Sequence, residues 1–366
     1  MKKSFFKNRF FCILPSWLDY SGHEASFLKS FKLLSHKSQN KLSFVLPLRN
    51  KFFFSGIEYV KNIEHVSTGY ISLLFKMIKN FRTIKKYLKK KNFSNKDSII
   101  IDGYSFDFLI SFLLVFYCST LRGKTILIYC RYNFKGIKKI IFNLFINLTS
   151  KKFFIQKILT DTKNLKEVLS KKYKNKVVLV PVPHTNNRLK IKKNKKKKYI
   201  KLYFPGQYRL EKFGANFKNF LELNNAKKYQ ILINNKFELN KKFEFKIKFL
   251  NNNLSNQEYI NVMSSSDIII LPYTEEPYKS RTSGIFIESV ILKKKILVTK
   301  NTWMANEYKR FGLYDLVIKD WSKFKLEEIL KKIFSKKIDL KIKFMQKNYL
   351  KIHNENNYTK VLKRYL

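Results

Sequence analysis

The stretch Ser264–Tyr308 reads SSSDIIILPYTEEPYKSRTSGIFIESVILKKKILVTKNTWMANEY and contains one complete structural unit. Asp267-Ile268-Ile269-Ile270-Leu271-Pro272 is a short β-branched run stopped by proline. A run apolar on both faces suits a buried parallel strand. A polar loop follows, ending at Thr282-Ser283-Gly284, and then Ile285, Phe286, Glu288, Ser289, Val290, Ile291 and Leu292 form a helix. Lys295-Ile296-Leu297-Val298-Thr299 is the next strand. Strand, glycine-containing loop, helix and strand make a βαβ unit, which predicts an α/β fold with a parallel sheet. The loop places the amides of Ser283, Gly284 and Ile285 at a helix N-terminus, where unpaired N–H groups and the helix dipole suit a phosphate. Gly284 lacks a Cβ, so its backbone can approach a ligand closely. Glu288 lies one turn further on, where a carboxylate can reach ribose hydroxyls beside a diphosphate.

These residues resemble the donor-sugar-nucleotide site of GT-B glycosyltransferases, in particular retaining family 4 (glycosyl transferases group 1). The matching segments are Ser266-Asp267 to Pro272, Ser283-Gly284 to Glu288-Ser289, and Lys294 to Thr299. Of the family's Glu-x7-Glu pair, Glu288 matches the second member and Ser280 stands at the first. Glu275 and Glu276 lie nearby at another spacing, and Glu276 is carried as a substitute donor contact. The resemblance implies two Rossmann-like domains facing across a cleft, and a nucleotide-diphosphate sugar (UDP or GDP) as donor.

The resemblance extends along the chain. Ile200–Gly206 reads as a strand and turn, followed by Arg209 and Lys212 ahead of a helix from about Asn216 to Leu223. This is similar to the family's segment in which a cation pair neutralises the departing diphosphate. Gly206 is assigned to donor binding, and Arg209 and Lys212 to catalysis. In the first half, Phe10–Leu14 and Leu42–Leu48 read as strands, and Tyr20–Glu24 resembles the family's glycine-containing loop. Gly22 and His23 there are candidate acceptor or cleft contacts. Ser98–Gly103, which resembles a further segment of the family, and Lys124–Cys130 read as strands; the resemblance implies acceptor or cleft contacts for Asp102 and Arg131, with a phosphate as the alternative partner of Arg131. Arg131 follows the strand end at which many relatives carry a histidine, and here that end is Tyr129-Cys130.

Tyr70–Lys89 has apolar residues at helical spacing (Leu73, Leu74, Met77, Ile78, Phe81, Ile84, Leu88) with Lys76, Lys79, Lys85 and Lys86 opposite. The reading is a helix whose apolar stripe faces the core; the alternative is an interfacial helix on anionic lipid. Thr162 reads as the cap of a helix from Lys163, and Ser255 with Glu258 as a capping box. Leu326–Phe334 and Phe344–Leu366 read as basic amphipathic helices.

The basic run Thr185–Lys198 (TNNRLKIKKNKKKK) has no apolar period and reads as a linker. The expected domains are therefore 1–184, binding acceptor, and 199–345, binding the nucleotide sugar. Residues 346–366 are expected to pack back on the N-terminal domain.

Seventy-six Lys and Arg against 25 Asp and Glu give a net charge of +51. Two readings stay open: attraction to an anionic partner, or codon bias toward Lys, Asn, Ile, Phe and Tyr. Cys12, Cys118 and Cys130 lie in apolar runs without CxxC spacing and read as buried, reduced thiols of a cytoplasmic chain. The run Phe108–Cys118 has 11 residues, against the roughly 20 of a membrane-spanning helix. Pro15 breaks the only N-terminal apolar run, so a first strand is expected there and not a signal peptide.

The function expected is metal-independent hexosyl transfer to a glycan or lipid-linked acceptor in surface polysaccharide synthesis. It would take place in the cytoplasm or on the inner membrane face, with no cofactor beyond the donor and no nucleic acid. An anionic membrane surface is a candidate partner. The alternatives are an inactive GT-B scaffold subunit and a basic nucleic-acid-binding protein.

Overall fold

The computed structural model describes residues 8–17, 22–47, 58–63, 70–183, 198–206, 209–210, 212, 214–233, 243–251 and 254–366. The side chains of 22–25, 60–62, 70 and 256 are outside that description, as is nearly all of the expected linker. The chain divides into two units, Met1–Pro181 with Glu355–Leu366, and Val182–Asn354.

Unit 1 runs β1 (Arg9–Ile13), α1 (Gly22–Ser38), β2 (Lys41–Pro47), β3 (Glu58–Ile63), α2 (Tyr70–Lys90), β4 (Ser98–Ile101) and α3 (Phe106–Tyr117). It continues with β5 (Gly123–Tyr129), α4 (Gly136–Thr149), β6 (Phe153–Thr160), α5 (Lys163–Tyr173) and β7 (Val177–Leu179). Its seven strands are ordered β3-β2-β1-β4-β5-β6-β7, and every pair is parallel. Strands such as Ser98-Ile99-Ile100-Ile101 are buried along their whole length because helices cover both faces of the sheet. On one face α3 packs between α2 and α4. On the other, α1 packs against α13 (Glu355–Lys363) at the end of the chain. Phe27 and Phe31 of α1 meet Tyr358 edge to face at 5.4 and 5.9 Å, and Thr125 Oγ1 donates to the Tyr365 carbonyl.

Unit 2 runs β8 (Ile200–Phe204), α6 (Gly214–Leu223), β9 (Tyr229–Ile233), β10 (Lys246–Phe249), α7 (Asn256–Ser265), β11 (Ile268–Leu271) and the single turn α8 (Glu275–Tyr278). Then come α9 (Gly284–Ile291), β12 (Lys295–Thr299), α10 (Trp303–Arg310), β13 (Val317–Ile318), α11 (Leu326–Ile333) and α12 (Lys336–Ile352). Its parallel strands are ordered β10-β9-β8-β11-β12-β13. Both sheets therefore grow outward in two directions from their first strand, the doubly wound order of a Rossmann fold. In such sheets ligands sit outside the carboxyl ends of the strands where the order reverses. That point lies between β1 and β4 in unit 1, and between β8 and β11 in unit 2.

Three expectations need correction, and one strand was missed. The outer stripe of α2 is apolar in its first half: Leu74 and Ile78 are exposed, and Lys76 is buried against Asp107 with Nζ–Oδ2 at 2.6 Å. Cys118 is exposed, while Cys12 and Cys130 are buried. The expected last helix is two helices, broken at His353–Asn354. The strand β3 was not expected at all.

Candidate functional site

Unit 2 brings Gly206, Lys212 and Ile285, three of the expected residues, together at its switch point. Gly206 follows the carboxyl end of β8 with φ +99°, a backbone that side chains other than glycine rarely adopt. A Cβ there would lie 3.3 Å from Lys212 Nζ and 3.4 Å from Ile285 Cδ1. One glycine thus marks where the turn bearing Lys212 meets the start of α9. That turn closes with the Lys212 amide donating to the Arg209 carbonyl at 2.9 Å, and Arg209 itself is exposed. The Lys212 ammonium stands 5.8 Å from the ring centre of buried Tyr273, which packs on Tyr278 at 4.4 Å. Arg281 lies over the other tyrosine of that pair, its Cζ 5.4 Å from the Tyr278 ring centre.

At its N-terminus α9 is capped by Ser283, whose Oγ accepts from the Phe286 amide at 3.3 Å. The amides of Gly284 and Ile285 carry no hydrogen bond among the described residues. An eight-residue helix is marginal alone, so burial of Phe286, Ile287, Val290 and Ile291 holds this one in place. Each such side chain contributes about 1.5–3 kcal/mol. At the other end Gln346 Nε2 donates to the Ile291 carbonyl at 2.6 Å. The two open amides are therefore held in advance by a fixed helix, and a bound anion would not have to organise them.

Glu288 is half-buried one turn along α9, and Tyr259 of α7 donates its hydroxyl to Oε2 at 2.7 Å. Burial raises the Glu288 pKa to about 7, against the opposing hydrogen bond from Tyr259. Buried Lys294 is structural: its ammonium donates to the carbonyls of Ser264 and Ser266 at the end of α7. Glu276 is exposed on α8, and Ser280 is half-buried in the loop before α9. The sequence reading missed Tyr259, Tyr273 and Arg281. Arg281 had a local signal, a cation two residues before a capped helix start. Tyr259 had none, being 29 residues from the carboxylate it holds.

Unit 1 brings Asp102 and Arg131 together at the carboxyl ends of β4 and β5. Arg131 Nη2 donates to Asp102 Oδ2 at 2.6 Å, and Nη1 stands 3.7 Å from Asp161 Oδ2, at the end of β6. Its guanidinium carbon lies 5.0 and 4.7 Å from the ring centres of Phe27 and Tyr129. Burial opposes the charge, but Asp102 and Asp161 outweigh it and raise the Arg131 pKa. Gly103 has φ +62°, and a Cβ on it would fall 2.2 Å from Ser16 Oγ and 2.8 Å from the Trp17 ring. Gly22 opens α1; the side chain of His23 lies outside the described residues. Among the described residues, no group of three His, Cys, Asp or Glu side chains is placed to hold a metal ion, and no helix is long and apolar enough to cross a membrane.

No protein-family model matches the chain, and no curated protein does. Solved structures do. A glycosyltransferase from Rickettsia africae ESF-5 is 15% identical with a TM-score of 0.65, covering 98% of each chain. The N-terminal domain of Candida albicans trehalose-6-phosphate phosphatase is 10% identical with a TM-score of 0.64, over 97% of this chain and 95% of that one. WaaG, a glycosyltransferase involved in lipopolysaccharide biosynthesis, is 10% identical with a TM-score of 0.57, over 97% and 96%. At these identities the likeness is one of fold. Two parallel doubly wound sheets and full-length similarity to glycosyltransferases of this type give the chain the GT-B fold.

Proposed function

We propose that this protein is a glycosyltransferase that moves a sugar from a UDP- or GDP-sugar to a hydroxyl of a glycan or lipid-linked acceptor. The observation that carries this reading is the convergence at the unit 2 switch point of Gly206, Lys212 and the open amides of Gly284 and Ile285. The donor diphosphate binds those two amides, with the α9 dipole behind them. Glu288, fixed through Oε2 by Tyr259, accepts from the ribose hydroxyls.

As the bond to the anomeric carbon breaks, negative charge grows on the leaving diphosphate. Lys212 and Arg209 stabilise that charge: a compact ammonium held near the amides, and a guanidinium able to fork two oxygens. Retention of configuration and a place in surface polysaccharide synthesis complete the reading, following the resemblance to family 4.

Saturation-transfer NMR against UDP, GDP and their sugars tests it, followed by a transfer assay with the sugar that binds. Donor binding with sugar released to an acceptor is the expected result. Failure of every nucleoside diphosphate to bind at millimolar concentration would contradict it. A second reading, a GT-B subunit that binds nucleotide without transferring sugar, is favoured by Ser280 at the position of the first glutamate. Binding without turnover would select it.

A further inference from the structure

The first half of α2 is inverted. On its inner side Lys76 is 6% exposed and bridges to Asp107 of α3, and Asn80 is fully buried. On its outer side Ile71, Leu74, Phe75 and Ile78 face solvent, with Phe75 69% exposed. Codon bias can enrich a chain in Lys, Ile and Phe, but it does not choose which side of a helix each occupies. The same layer repeats the pattern on α4, where Ile137, Ile140 and Leu144 form an i, i+3, i+7 stripe pointing outward. Between them, on α3, Leu114 is exposed as well. Basic residues border these stripes: Lys79 and Arg82 along α2, Lys138 and Lys139 on α4. The three helices contain a single acidic residue, Asp107, and Lys76 already pairs it.

We propose that the outer face of α2, α3 and α4 is a docking surface for a lipid bilayer carrying anionic headgroups. Apolar side chains rimmed by lysine and arginine match the boundary between acyl chains and anionic headgroups. The charge pattern selects this occupant over the others. A second copy would bring +51 against +51, and like charge disfavours self-association. A nucleic acid would satisfy the lysines and leave the aliphatic stripes in water. Because α3 and α4 follow β4 and β5 in a parallel sheet, their N-terminal turns lie at the strand ends that hold Asp102 and Arg131. Docking would then present that edge to a lipid-linked acceptor. This last link rests on the transferase reading, whereas the docking surface does not.

The test is sedimentation of the full chain with vesicles of phosphatidylglycerol and phosphatidylcholine, or of phosphatidylcholine alone, without any donor or acceptor. The expected result is binding to the anionic vesicles only, weakened by 0.5 M salt. Phe75→Asp combined with Ile137→Asp should weaken it by about tenfold or more, while nucleotide affinity and circular dichroism stay unchanged. Three results would overturn the proposal. One is no binding to anionic vesicles. Another is binding that the double variant does not weaken. The third is a wild-type dimer that this variant makes monomeric, which would assign the face to a second copy.

Discussion

The two switch points of this molecule share a topology and differ in what fills them. In unit 1 Trp17 and Ser16 lie against Gly103 at the end of β4, and Arg131 at that edge is held by Asp102 and Asp161. In unit 2 Gly206, which follows the first strand β8, stands beside a lysine and the start of a helix with two open amides. A doubly wound sheet thus supplies a switch point twice, and local side chains decide what each one offers. At the unit 1 edge the Arg131 guanidinium is engaged by Asp102 and Asp161; at the unit 2 edge the amides of Gly284 and Ile285 carry no hydrogen bond among the described residues.

Substitutions can break this contrast. Lys212→Ala should lower the transfer rate by about 10²–10³ with little change in stability, as removal of one stabiliser of transition-state charge does. Arg131→Ala should do the reverse. It leaves Asp102, almost fully buried, without its ion partner. Because the guanidinium is a quarter exposed, the cost should fall near or below the low end for buried pairs, about 2–3 kcal/mol. Denaturant unfolding measures that loss, and nucleotide affinity should not move. If Arg131→Ala weakened donor binding and Lys212→Ala unfolded the chain, the two edges would have been assigned the wrong way round.

The two glycines sharpen the comparison. Gly103→Ala forces a Cβ into Ser16 and Trp17 at φ +62°, and should destabilise unit 1 by about 2–4 kcal/mol. At Gly206 the new Cβ would meet only the ends of the Lys212 and Ile285 side chains. Backbone strain should then cost about 1–2 kcal/mol, and the larger effect should be on donor affinity.

A smaller effect is expected from pH. The folded-state pKa of Glu288 is raised from 4.5 to about 7. Its contribution to stability is therefore full below about pH 4.5 and is lost as pH rises through about 7. Donor affinity should run the other way, because ribose hydroxyls need the carboxylate. Titrations between pH 6 and 8 should show affinity rising with pH, and Glu288→Gln should flatten the profile. The smallest change should come from Ser283→Ala, which removes a helix cap worth about 1 kcal/mol and is read from the thermal midpoint.

Much of the local structure around the candidate unit 2 site was legible because its signals are local. The β-branched run before Pro272, the helix start at Ser283-Gly284 and the strand Lys295–Thr299 all lie within one βαβ unit. The Ser255–Glu258 capping box and the Thr162 cap also form as the spacing predicts. What escaped reading depends on long-range pairing. Lys76 turns inward because Asp107, 31 positions away, neutralises it. Arg131 finds its carboxylates on two neighbouring strands. The strand β3, EYVKNI, mixes polar and apolar residues because it lies at the edge of its sheet. The last helix breaks at His353–Asn354, where Lys-rich sequence on both sides hides the boundary.

The central claim is that the first-turn amides of α9 bind a diphosphate. Gly284 is the first residue of that helix, and Ser283 before it has φ −119° and ψ 113°, compatible with a following proline. Gly284→Pro therefore deletes one amide, while Gly284→Ala adds a Cβ and keeps it. Isothermal titration of UDP and GDP at pH 8 into the wild type and both variants is the most direct measurement. The account predicts that the proline variant loses about tenfold or more in affinity relative to the alanine variant, consistent with the loss of a charge-assisted hydrogen bond. Equal affinities for the two variants, both folded, would contradict it.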